Sequence, residues 1–223
     1  MLGEYNKIIV NFTKFKRRIK KWLQRHKNVL RSAGIVFAGL AFILYTIAMA
    51  DSQRSVDMAT MRPLLNIIAK AESNGNYNAY FGNASNNSIK LSEMPIHKVM
   101  QWQESYIEKG NASSAVGRYQ IIDSTLAGLV EQLNLDKRQS FNRATQDKLA
   151  VALIERRGAT DYVNKNLSAE EFAANLAKEW AGLPKTLGKY PDRSYYAGDG
   201  LNKSQVEIKS VLAAIDKIKP LTH

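Results

Sequence analysis

One carboxylate interrupts an otherwise apolar helical pattern. In the run Pro63–Glu72, PLLNIIAKAE, a helical wheel stepping about 100° per residue with Leu64 at zero puts Leu65 near 100°, Ile67 near 300°, Ile68 near 40° and Ala71 near 340°. On the same wheel of about 100° per residue, Glu72 falls near 80°, inside the apolar arc, while Lys70 falls near 240°, outside it. A carboxyl held against hydrocarbon resists ionisation, so its pKa rises. That is the property a general acid needs near neutral pH, because it must still hold a proton to give. The competing outcome is that the helix frays at Ala71 and Glu72 turns into water.

Four further stretches follow Glu72 in order. A loop rich in Gly and Asn, SNGNYNAYFGN, begins at Ser73. Then comes SAVGRYQII, Ser114–Ile122, with Gly117, Arg118, Tyr119 and Gln120 just ahead of another helical pattern. After FNRATQDKLAVALIERRGA from Phe141, the last is AKEWAGLP, Ala177–Pro184. Together with Ala71-Glu72-Ser73, these segments resemble the lysozyme-like lytic transglycosylases, in particular the phage lambda endolysin type. The resemblance runs from roughly Pro63 to Pro184 and implies a cleft enzyme acting on the glycan strands of peptidoglycan.

What the resemblance implies for individual residues is specific. Glu72 inherits the role of the single catalytic acid. It would protonate the oxygen linking N-acetylmuramic acid to N-acetylglucosamine, then accept a proton from the muramyl C6 hydroxyl as that group attacks C1. Ser73 would hydrogen-bond near the carboxyl or the sugar, or else cap the helix end. Gln120 would contact the sugar or orient groups at the cleavage point. Tyr119 would stack on a sugar face or pack in the core. Arg118 would offer donors to lactyl or peptide carboxylates, or remain a surface arginine. Trp180 is expected in the core. Tyr195 and Tyr196, in RSYYAGDG, would line a sugar groove or pack in a turn. A hydrolytic muramidase is the alternative; it normally needs a second carboxylate, at roughly 5–5.5 Å for retention or 6.5–9.5 Å for inversion. Glu93, Glu104 and Asp123 are the candidates for it. A scaffold that binds the wall without cutting is the reading outside enzymology, and a membrane adaptor working through its basic arm is another.

The elements that position these groups are mostly helical. Pro63 sits near one helix start, where proline is tolerated. Further helices are expected from Pro95 to Gly110, from Asp123 to about Leu133, and from Asn142 to Gly158. Ser168-Ala169-Glu170-Glu171 is a capping box ahead of FAANLAKEWAGL, and NKSQVEIKSVLAAIDKIK, from Asn202, reads as a final amphipathic helix. A small hairpin fits between Ser73 and Leu91. The fold class expected is α+β, mostly α-helical: a lysozyme-like domain over residues 61–223, preceded by a linker at 51–60 and one transmembrane helix.

That helix is residues 33–50, AGIVFAGLAFILYTIAMA, 18 residues without a charge. As a helix it would be about 27 Å long, close to the roughly 30 Å of bilayer hydrocarbon. Residues 1–32 form a basic arm, which the positive-inside rule places in the cytoplasm, with the catalytic domain on the extracytoplasmic side. Ala48-Met49-Ala50 also resembles a signal-peptidase site, and the Gly and Ala content leaves room for a helix that quits the membrane. The net charge of +12 is local: residues 1–50 carry ten Lys/Arg against Glu4 alone, leaving 22 basic and 19 acidic side chains for the rest. That excludes nucleic acid as the partner of the main domain. With no cysteine and only His26, His97 and His223, neither a zinc site nor any cofactor is expected. The added N-terminal segments suit a host-lysis enzyme, a virion component or part of an envelope-spanning assembly.

Overall fold

The computed structural model describes residues 56–221, which fall within one compact unit. Residues 33–50, expected to span a membrane, and the basic arm lie outside the described residues. Among the described residues no helix is long and apolar enough to cross a membrane.

Among the described residues, seven α-helices carry the domain. They are α1 (Arg62–Ser73), α2 (Ile96–Glu108), α3 (Asp123–Gln132), α4 (Arg143–Arg156), α5 (Ala159–Val163), α6 (Ala169–Ala177) and α7 (Ile208–Ile215). The apolar stripe of α1 is buried through Leu64, Leu65, Ile68 and Ala69, packed against α7 and α4. Leu149, Ala150, Leu153 and Ile154 form the buried face of α4, and α6 adds Phe172, Ala173, Leu176 and Ala177 to the same core. Each large side chain buried this way contributes roughly 1.5–3 kcal/mol. One continuous core therefore holds the end of α1, and with it Glu72, against elements distant in sequence.

Local chemistry sets the helix ends. The Asn142 side chain accepts from the Thr145 N–H at 3.0 Å at the start of α4. At α6 the capping box is complete: Ser168 Oγ accepts from the Glu171 N–H at 3.2 Å, and the Ser168 N–H donates to the Glu171 carboxylate at 2.8 Å. α1 stops where Asn74 and Gly75 take left-handed backbone (φ 52° and 85°), a common helix terminator.

The structure departs from the expected elements in five places. α5 and a short 3-10 turn at Met58–Met61 were not foreseen, being too short to show periodicity. The packed domain reaches back to Val56, inside the stretch read as linker, because the Asp57 N–H donates to the Lys219 carbonyl at 2.8 Å and Val56 is buried. α6 ends at Ala177, short of Pro184, and α7 begins only at Ile208; residues 202–207 are instead irregular, the Gln205 N–H donating to the Gly182 carbonyl at 2.8 Å.

The β part of the expected α+β fold is reduced, among the described residues, to isolated antiparallel bridges. One joins Tyr80 to Asn83, one Tyr80 to Val116 and one Val116 to Ile121. Asparagine side chains do the work of a ladder in the loop after α1. Asn76 Nδ2 donates to the Ala84 and Asn86 carbonyls at 2.8 and 2.7 Å. Buried Asn86 donates to the Asn78 and Ile89 carbonyls at 2.6 and 2.7 Å. With backbone groups satisfied by amides, the loop holds one shape without strands.

Ser168→Ala removes the cap of α6 and should cost about 1 kcal/mol. The melting temperature should fall by about 2–4 °C for a domain of this size. Thermal unfolding followed by circular dichroism measures it, and an unchanged midpoint would show that the cap contributes nothing.

Candidate active site

Three segments far apart in sequence meet at the end of α1. The Gly182 N–H donates to Glu72 Oε1 at 2.8 Å. The buried Ser73 hydroxyl donates to the Arg118 carbonyl at 2.7 Å, and Trp180 Nε1 donates to the Tyr119 carbonyl at 3.1 Å. The Gly182 contact requires glycine: a Cβ there would lie 2.8 Å from the Ala71 carbonyl oxygen and 2.9 Å from Glu72 Oε1.

The turn Gly117–Gln120 is fixed at almost every backbone group. The Gly117 N–H donates to the Ala79 carbonyl at 2.7 Å, and the Arg118 N–H donates to Gln146 Oε1 at 2.8 Å. Gln120 Nε2 folds back on the Gly117 carbonyl at 2.9 Å. Gln120 itself adopts left-handed backbone, with φ 47°, a conformation non-glycine residues take only when the surroundings impose it.

An open groove of about 350 Å³ runs past this junction. Glu72 and Gln120 line it together, with Tyr80–Ala84 of the asparagine-braced loop, Ala181 and Gly182, and Leu201, Asn202, Lys203 and Gln205 of the segment before α7. The loop wall is held by aromatic packing. Trp102 and Tyr106 stack at 4.7 Å, Tyr80 lies 5.2 Å from Trp102, and the Tyr106 hydroxyl donates to the Phe81 carbonyl at 2.9 Å.

Burial pushes the Glu72 carboxyl up from its ordinary 4.5 to about 7, against the smaller lowering effect of the Gly182 N–H. The helix does not fray; Glu72 stays in the last turn of α1. Glu72 is also the one acid among the residues lining the groove. Glu93 and Glu104 are exposed, and neither lines it. Asp123 sits at the start of α3, accepting from Ser114 Oγ at 2.9 Å and from the Ser124 N–H at 2.8 Å.

Other residues expected at a sugar site are placed differently. Ser73 is 1% exposed and braces the turn through its hydroxyl. Tyr119 is also 1% exposed, its hydroxyl donating to Asp147 at 2.7 Å. Burial, then that hydrogen bond, raises its pKa well above the usual tyrosine range. Arg118 reaches Asn66 Oδ1 at 2.7 Å and lies 4.9 Å over the Tyr77 ring. Tyr195 and Tyr196 are 50% and 43% exposed, and neither lines the Glu72 groove. Of the expected site residues, the groove gathers Glu72 and Gln120.

Sequence reasoning missed the bracing residues Gln146 and Asp147. Gln146 is buried, donating to the Tyr77 and Phe141 carbonyls at 3.0 and 2.9 Å. Asp147 accepts from both Tyr77 and Tyr119. A signal was present: Gln146 lies three, four and seven residues before Leu149, Ala150 and Leu153, a polar group on an apolar face like Glu72. The groove walls at 80–84 and 201–205 carry no such signal. Among the described residues, no His, Asp and Glu cluster fit to hold a metal ion occurs.

The family model described as Endolysin matches residues 62–202, more than half of the chain and the whole of this junction. The chain belongs to the Endolysin family. Endolysin-family domains of this kind are lysozyme-like and act on peptidoglycan, which agrees with an open groove carrying a protonatable acid. No curated protein and no solved structure matches the chain.

Two outcomes follow. Gly182→Ala should destabilise the domain by about 1–3 kcal/mol, since the new Cβ meets backbone that cannot retreat; a denaturant midpoint matching wild type would show that the junction is loose. Glu72 keeps its proton up to about 7 when folded but loses it near 4.5 when unfolded. Its contribution is fully present below 4.5 and is lost as pH rises through about 7. Denaturant midpoints measured across that window should therefore fall with pH more steeply for wild type than for Glu72→Gln; parallel profiles would mean an ordinary carboxylate.

Proposed function

We propose that this chain is a lytic transglycosylase that cuts the β-1,4 bond between N-acetylmuramic acid and N-acetylglucosamine, with Glu72 as acid and then base. The observation that carries the reading is a lone carboxyl, raised to about 7 by burial, in a groove whose lining holds no second acid. Because Oε1 accepts from the Gly182 N–H, Oε2 is the oxygen that carries the proton. Oε2–H protonates the bridging oxygen as its bond to the muramyl C1 breaks. The muramyl C6 hydroxyl then attacks C1 and gives its proton to the Glu72 carboxylate. A 1,6-anhydro ring forms, Glu72 ends as it began, and no water is consumed. A pKa near the working pH suits a group that must give a proton and take one back.

Hydrolysis by a muramidase is the second reading, and one feature favours it. Asn83, Asn202 and Gln205 line the groove, and their amides can hold a water against C1. A wall-binding scaffold has no use for an acid so placed. In the first reading residues 33–50 tether the enzyme at the membrane, and the domain works on the extracytoplasmic side. The tether confines cutting to wall within reach, as host lysis or local opening by a virion or envelope-spanning assembly requires.

Full-length protein in detergent, incubated with purified sacculi, should release muropeptides one water lighter than hydrolysis fragments by mass spectrometry. Ordinary reducing ends would reassign it as a muramidase. Glu72→Gln should lower the rate by about 10²–10⁴, and the wild-type rate should decline as pH rises past about 7. A variant that still releases fragments at the wild-type rate would remove Glu72 from the chemistry.

A further inference from the structure

A second concavity adjoins the groove through Gln120, which lines both. It measures about 270 Å³ and is more enclosed than the groove. Ile121, Ile122, Leu153 and the edge of Trp180 give it apolar walls, and Arg156, Arg157 and Lys178 bring cations to it. Tyr196, its hydroxyl donating to the Lys178 carbonyl at 2.7 Å, forms one side.

The two arginines are held in place. Glu179, its side chain only 9% exposed, pairs with Arg156 Nη2 at 3.1 Å and with Arg157 Nη2 at 2.6 Å, and also accepts from Arg157 Nε at 2.8 Å. One carboxylate thus orients two guanidinium groups and leaves the pocket with an excess of positive charge. Each guanidinium has five N–H donors, so donors remain beyond those given to Glu179. Pre-oriented guanidinium groups bind carboxylates more strongly than mobile ones.

We propose that this pocket receives the peptide stem of peptidoglycan next to the muramyl sugar being cut, with Arg156, Arg157 and Lys178 pairing with its free carboxylates. The inference rests on the reading of the Glu72 groove as the site of glycan cleavage. Stem peptides combine small methyl side chains with free carboxylates and leave the strand at the lactyl group of each muramic acid. The apolar walls accept the former and the cations the latter. The shared Gln120 places the pocket where a stem departs from a strand lying in the groove. The chemistry also accounts for Tyr196, which stands outside the groove yet closes this neighbouring space.

The test compares two substrates with the full-length protein in detergent: intact peptidoglycan, and the same glycan strands stripped of stems by an amidase. Wild type should cut the intact material faster. Charge-assisted hydrogen bonds of ordinary strength correspond to about a tenfold fall in the intact-to-stripped rate ratio for each of Lys178→Gln and Arg156→Gln. Lys178 is exposed, so its substitution should leave the fold intact even if Arg156→Gln disturbs the Glu179 pairing. An unchanged ratio in both variants, or equal wild-type rates on both substrates, overturns the stem pocket while leaving the Glu72 reading in place. Cutting of both substrates by Glu72→Gln at the wild-type rate overturns the groove reading itself.

Discussion

The hydrogen bond from the Gly182 N–H to Glu72 joins residues 110 apart in sequence, and the site depends on that closure. Gly182 lies so close to Ala71 and Glu72 that no side chain fits between. The same approach keeps water from one side of the carboxyl. Ser73 and Trp180 make the corresponding bonds to the Arg118 and Tyr119 carbonyls. Three short segments therefore form one junction: the end of α1, the turn at 117–120 and the stretch after α6. Around it the helical core resists separation, because opening the junction would expose the stripes of α1 and α6 as well.

This arrangement divides labour between residues adjacent in sequence. Glu72 faces the groove while Ser73, its neighbour, faces inward and carries the turn. Gln120 faces the groove while Tyr119 is buried against Asp147. Around the left-handed conformation of Gln120, hydrogen bonds donated by Ser73 and Trp180 and accepted by Gln146 and Ala79 fix the turn, so its backbone is over-determined by its neighbours. A groove wall built from such fixed backbone suits a polymer substrate, which needs an extended, preformed surface more than a closing lid.

Part of this was legible in the sequence for physical reasons. Glu72 and Lys70 are separated by their helical angle alone, and the structure keeps Glu72 within the apolar arc. The capping box at Ser168 and the cap at Asn142 depend on neighbours three residues away and read directly. What could not be read depends on distant partners. Nothing local tells Ser73 to seek Arg118, or Tyr119 to seek Asp147. The helix patterns after Ala177 and before Ile208 are overridden because the Gly182 N–H is given to Glu72 Oε1 and the Gly182 carbonyl accepts from the Gln205 N–H. The expected hairpin after α1 gave way to asparagine side chains, whose long-range pairing has no period to detect.

The same glycine contact has two opposed effects on the acid. By packing against Glu72 it helps to strip water from the carboxyl, which favours the protonated form. By donating its N–H to Oε1 it favours the ionised form. Burial is the larger effect, and the balance falls at about 7. Without the N–H, burial alone would hold the proton more tightly and make it slower to leave. Without burial, the carboxyl would be ionised before a substrate arrived. In the proposed reaction one group gives a proton and then recovers one, so neither extreme would serve. A glycine at 182 supplies the N–H and a share of the burial from one position, so the chemistry assigned to Glu72 depends in part on a residue that itself carries no side chain.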